Sequence, residues 1–218
     1  MTYQTYDILI ARLKAAYEAL GCHVEFEKAP PASEAELAIA EARINQKIPT
    51  SLRSFFAAYS GNVRFYAKFP QALSFAAPFS EIFSAEFHFS LDLLYDFRQN
   101  IAPGELDPEN DYDRPFFTSL LFADIPNGDS LAFDYWDSSD DPRVIYLSHD
   151  GDEDENGTVL GKSFRDYFER MLLTAAVGSE IWQQQIFLPD KESGLDPNCN
   201  TAREYRALIR LQTDDLID

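Results

Sequence analysis

The spacing of apolar residues changes period near residue 62, and that change limits what the chain can become. Before it, apolar side chains recur every three or four residues. From Gln4 to Leu20, Ile8, Leu9, Leu13, Ala16, Tyr17 and Leu20 share one helical face, and Gly21 supplies a stop. The rigid stretch KAPPA (residues 28–32) precedes a second start, where Ser33 and Glu36 form a capping box in which each side chain satisfies a backbone donor. That helix is expected to run to about Gln46. A third begins near Pro49, whose fixed φ suits a first turn, and gathers Leu52, Phe55, Phe56 and Tyr59 before Gly61 ends it.

From residue 62 the alternation has period two. NVRFYAKF (62–69) and AEFHFSL (85–91) have the pattern of half-buried strands, and Ser90 can cap a helix reaching Ile101. Segment 102–115, rich in proline and acid, has no apolar period and is expected to be an exposed loop. Strand runs follow at 116–125, 130–136 and 143–148, separated by PNG and DSSDDP turn chemistry, as in neighbouring antiparallel strands. Ser163 caps a further helix with Phe164, Tyr167, Phe168, Met171 and Leu172 on one face, and a polar tail carries helical patterns near 179–187 and 201–212. No internal repeat is present.

With 218 residues, 45% of them apolar, and with 18 Phe and 11 Tyr, the chain can bury the core of one domain, or of one domain plus an extension. Cys22 and Cys199 lie far apart, which fits free thiols in a reducing compartment and leaves one long-range disulfide open. The amino end carries no basic cluster followed by an apolar stretch, and no run approaches the ~18 apolar residues of a membrane span. The expectation is a soluble cytoplasmic protein.

The net charge of −19 is unevenly placed: residues 1–91 hold 9 acids and 8 bases, 92–155 hold 18 and 3, and 156–218 hold 10 and 7. Direct binding of nucleic acid is disfavoured, because a polyanion needs a basic surface that releases its counterions. A basic protein is the natural complement.

The stretch HDGDEDENGTVLGKSF (149–164) resembles two ligand loops in part. Asp152, Asp154, Asn156 and Gly157 satisfy the first half of a calcium loop, but its twelfth position, which requires a bidentate Glu, is Ser163, and a strand pattern precedes it. A phosphate loop ending in Gly161-Lys162-Ser163 would need Gly at 156, and five acids between Asp150 and Glu155 would repel the phosphate. The simpler reading is an acidic turn, a short edge strand at 158–160, and a helix start. His23, His88 and His149 show no metal spacing with either cysteine, and G-x-S-x-G is absent. On spacing alone Asp129 with Asp134, or Asp137 with Asp140 and Asp141, could serve acid/base chemistry, though acids are too abundant here for that to discriminate. Trp136 between Asp134 and Asp137 suits either a partly buried core position or a recognition anchor with a charged rim.

In their order, Ser33 to Glu36, Ile48-Pro49, the Phe55/Phe56 helix to Gly61-Asn62, IPNGDSLAFD (125–134), VIYLSHD (144–150) and SFRDYFERML (163–172) resemble the SUKH superfamily. That superfamily includes fungal glucan-synthesis regulators of the Smi/Knr kind and bacterial immunity proteins. GSEIWQQQIFL (178–188) and GLDPN (194–198) are similar to the tail of longer bacterial members, and the acidic insertion between His149 and Thr158 departs from the pattern. The resemblance implies an α+β fold: a twisted, mainly antiparallel sheet with the amino-terminal helices and a later helix packed on it. Residues 1–177 would form that domain, and 178–218 a helical extension packed on it. It also implies action by binding, without catalysis, cofactor or metal.

The resulting expectation is an immunity protein that neutralises a basic toxin domain, with a nuclease as one class. Its partner-binding residues would be Asp129, Asp134, Trp136, Asp137, Asp140, Asp141, Asp150, Asp152 and Asp154. The alternatives are a regulatory scaffold of the cell-wall type, docking through the tail, and a cation-binding protein or enzyme.

Overall fold

The computed structural model describes residues 1–96, 106–135, 139–149, 155–213 and 215–216. Three helices and the first strands come in quick succession: α1 (Tyr3–Ala19), β1 (His23–Lys28), α2 (Glu34–Arg43), α3 (Thr50–Ala58), β2 (Asn62–Lys68) and β3 (Ser84–Ser90). Then follow α4 (Arg114–Thr118), β4 (Ser119–Asp124), β5 (Ser130–Asp134), β6 (Arg143–Leu147), β7 (Val159–Gly161), α5 (Phe164–Leu173), α6 (Ile181–Gln184) and α7 (Asn200–Leu208). The fold is α+β, with two antiparallel sheets ordered β1-β2-β3 and β4-β5-β6-β7.

Local chemistry sets the ends of these elements. The Ser33 hydroxyl accepts from the Glu36 amide at 3.3 Å while the Glu36 carboxylate accepts from the Ser33 amide at 2.8 Å, which completes the capping box of α2. That helix stops at Arg43, short of Gln46, because Asn45 turns into the left-handed region at φ +52. The Ser163 hydroxyl accepts from the Asp166 amide and opens α5. Gly161 lets β7 and α5 approach so closely that an added Cβ would lie 2.6 Å from the Tyr167 backbone.

Two expectations are corrected, and one strand was not among them. Ser90 caps only a 3-10 turn at Leu91–Leu93; Leu94 then turns extended, and Tyr95 exchanges two 2.9 Å backbone bonds with Leu121, so the chain joins β4 where a helix was expected. Residues 97–101 of that expected helix lie outside the described residues. The strand placed at 116–125 starts only at Ser119, since Pro115 fixes the first turn of α4 and draws Phe116 and Phe117 into it. Strand β1 was not anticipated, although His23 to Glu27 does alternate polar and apolar.

A cluster of rings holds both sheets and the helices together. Phe55 of α3 meets Phe164 and Phe168 of α5 at 5.0 Å between centroids. Phe89 of β3 contacts Phe122 of β4 at 5.9 Å and Phe164 at 5.2 Å, and Phe122 lies 4.5 Å from Phe133 of β5. The Phe55–Phe164, Phe55–Phe168 and Phe89–Phe164 pairs are edge-to-face, a geometry that stabilises beyond the area buried. Beyond residue 177, Ile181, Phe187, Leu195, Ala202, Tyr205 and Ile209 belong to the same core. Arg206 donates to the carbonyls of Leu173 and Pro197 at 2.6 and 2.8 Å, tying α7 to the end of α5. The opposite face of the second sheet buries a smaller group, Leu121, Ala132, Ile145, Leu147 and Val159, with Phe116 of α4 against it.

Candidate functional site

The Ile125 to Asp129 turn joins β4 to β5 and places a carboxylate against the end of β6. Gly128 takes φ +103, and a Cβ there would meet the His149 ring at 3.3 Å, so the backbone lies flat on the imidazole. Asp129 is buried and accepts from the His149 amide at 2.8 Å, from His149 Nδ1 at 2.7 Å, and from the Tyr146 hydroxyl and the Asn127 amide group. Burial by itself raises the Asp129 carboxyl, but the bonds from Tyr146, His149 and Asn127 outweigh it and hold the group below the usual carboxylate range. His149 keeps half its side chain open to solvent. Asp129 is thus consumed inside the turn, which it holds in shape.

Asp134 is likewise buried. It pairs with Arg143 Nε at 2.9 Å, and Arg143 reaches Glu192 at 2.7 Å with another nitrogen. The Asp140 carbonyl accepts from the Thr50 amide at 2.9 Å, and one Asp141 oxygen accepts from the Ser51 amide at 3.0 Å and the Ser51 hydroxyl at 2.7 Å. Pro49 offers α3 no side-chain cap, so this loop supplies one from elsewhere in the sequence. The side chain of Asp140 is exposed and lines a cleft of about 520 Å³ with Glu41, Lys47, Arg53 and Tyr135. Asp141 opens instead on a cleft of about 490 Å³ lined by Tyr3, Tyr6, Phe55, Phe164 and Arg165. The remaining expected site residues, Trp136, Asp137, Asp150, Asp152 and Asp154, lie outside the described residues.

An acid-rich surface stands beside the smaller core of the second sheet. Asp107, Glu109 and Asp111 are exposed on the segment before α4, and Asp111 pairs with Arg114. This segment is fastened, not loose. Tyr112 donates its hydroxyl to the Ser148 carbonyl at 2.6 Å, and the buried Asn156 donates to the Tyr112 carbonyl at 2.6 Å while accepting from the Ser148 amide at 3.1 Å. The acids of 106–113 are thereby held next to the end of β6. Tyr112 and Arg143 carry no signal in the sequence, and Asn156 stands out there only as a candidate calcium-loop position, because the roles of Tyr112, Asn156 and Arg143 depend on partners 36, 44 and 9 positions away.

Among the described residues, no group of three or more His, Cys, Asp or Glu is placed to hold a metal ion, and no helix is long and apolar enough to cross a membrane. Gly161, Lys162 and Ser163 form the end of β7 and the start of α5.

The model of the SMI1 / KNR4 family (SUKH-1) matches residues 31–170, which run from the α2 cap through the Asp129 turn into α5. The chain belongs to the SMI1/KNR4 family. A search of curated proteins and one of solved structures each found no match. For a SUKH-1 protein the family supports a role in protein interaction, immunity or regulatory in kind. The matched SUKH-1 region includes β2 to β7, and so both sheets apart from β1.

Proposed function

We propose that this SUKH-1 protein is an immunity protein: it binds a basic toxin domain, a nuclease being the class that fits best, and makes or breaks no bond itself. The observation behind this reading is the concentration of charge. Residues 92–155 carry 18 acids against 3 bases, and the exposed Asp107, Glu109 and Asp111 are held on a fixed segment by Tyr112 and Asn156. A nuclease must be basic to hold phosphate, so an acidic surface can be steered onto it rapidly and compete for the same groups. A fixed segment also has little conformational entropy left to lose on docking. Asp140 extends the acidic surface toward α3, whereas Asp129 and Asp134 support it from inside.

The test is association with a purified basic nuclease toxin domain, the first choice being any such domain encoded in a neighbouring reading frame. Reversing Asp107, Glu109 and Asp111 to Lys is expected to slow association at least tenfold at low salt and to flatten its salt dependence. Unchanged rates in both would reject the acidic surface as the docking site. Turnover of a small substrate by the purified protein, abolished by neutralising one cleft carboxylate, would reject binding without catalysis.

A further inference from the structure

Two sheets have four edges, and among the described residues three of them are closed by the chain itself. Along β3, Glu86 donates to the Ala176 carbonyl at 2.8 Å and the Gly178 amide donates to the Ser84 carbonyl at 3.0 Å. Tyr95 covers β4. Along β7, Val159 donates to the Lys191 carbonyl at 2.8 Å, and the Leu195 amide donates to the Leu160 carbonyl at 3.2 Å. The outer edge of β1 receives no such cover from any described residue.

The register shows which groups that edge exposes. Ala29 donates to the Asn62 carbonyl at 2.8 Å, and β1 runs unbroken against β2 from His23↔Lys68 to Lys28↔Val63. In an antiparallel ladder of this phase, Glu25 and Glu27 exchange both backbone bonds with β2, while Val24, Phe26 and Lys28 turn N–H and C=O outward. Val24 and Phe26 lie on the core side of the sheet, opposite the buried Ala67 and Phe65, yet each remains partly exposed. Glu25 and Glu27 stand exposed on the solvent side. Among the described residues Glu25 has one ion-pair partner, the exposed His23 at 3.2 Å, and Glu27 has none within 4.0 Å.

We propose that β1 accepts an extended segment of a partner protein as an added strand, with Lys or Arg at alternate positions of that segment. The backbone of Val24, Phe26 and Lys28 supplies the pairing, and apolar side chains of the segment extend the core side beside Val24 and Phe26. Glu25 and Glu27 then occupy non-hydrogen-bonded positions, where side chains approach most closely, and opposite charge is favoured there. The same acids disfavour a second copy of this chain. Antiparallel self-pairing centred on Phe26 sets Glu25 against Glu27, and neighbouring registers set Glu25 against Glu25 or Glu27 against Glu27. The edge uses none of the acid-rich residues of the preceding reading, so each can fail without the other.

The test uses the full chain with a blocked, labelled heptapeptide, Lys-Thr-Lys-Val-Lys-Thr-Lys, and a control of equal charge with Pro for the central Val. Proline removes the backbone donor that would pair at Phe26. The expected result is at least tenfold tighter binding of the first peptide, with slowed amide exchange at Val24, Phe26 and Lys28. Binding should weaken at least tenfold in Glu25→Lys/Glu27→Lys and stay unchanged when Asp107, Glu109 and Asp111 are reversed. Equal binding of the two peptides, protection confined to 106–113, or no binding at millimolar peptide would each overturn the proposal.

Discussion

Asp129 shows how a conspicuous acid can serve the fold. Its carboxylate collects the Tyr146 hydroxyl, two nitrogens of His149 and the Asn127 amide group, so removing the charge leaves buried donors without an acceptor. Asp129→Asn is expected to cost about 1–3 kcal/mol in urea unfolding. Because its folded pKa is lowered, the contribution is whole above the ordinary carboxylate range and is lost as pH falls through that range and the lowered folded value. The advantage of wild type over Asp129→Asn should therefore shrink below about pH 4; a gap unchanged by acid would mean that the hydrogen bonds do not depend on the charge. Gly128→Ala should cost about 1–2 kcal/mol by calorimetry, since φ +103 strains any L side chain and the new Cβ presses on His149. The sequence marked these residues as important but could not say which way they face. Asp129 and Asp134, expected to meet a partner, are buried and already bonded within the chain, and Asp141 caps α3.

Elements were legible where their signals are local. The Ser33/Glu36 box, the Pro49 start and the Ser163 cap each lie within four residues of what they control, and each sets the end of a helix in the structure. Signals failed where a distant partner decides. Ser90 has a cap's chemistry, yet Tyr95 is drawn off to pair with Leu121, 26 positions on. Strand β1 is a short alternation with three charged residues, and it becomes a strand because β2 lies alongside. The same reasoning applies to Asn156, whose amide connects β6 to the acid-rich segment. Asn156→Ala is expected to cost about 1–3 kcal/mol and to speed proteolytic cleavage within 106–113 at least severalfold. Cleavage at the wild-type rate would show that the segment is fastened by other means.

At the scale of the whole molecule, a net charge of −19 means that the folded state works against its own repulsion. Salt should relieve this: the melting temperature is expected to rise by several degrees between about 10 and 500 mM sodium chloride, and a fall would mean that favourable ion pairs dominate. Core burial argues for a single transition. Phe89 touches Phe122, Phe164 and Phe168, so Phe89→Ala, at about 3–5 kcal/mol, should lower the unfolding midpoint equally for probes placed in either sheet. Separate shifts would mean that the sheets melt apart. Because the rings that close one sheet also close the other, a ligand gripping β1 would deepen amide protection as far away as β7, reporting its arrival at a strand it never touches.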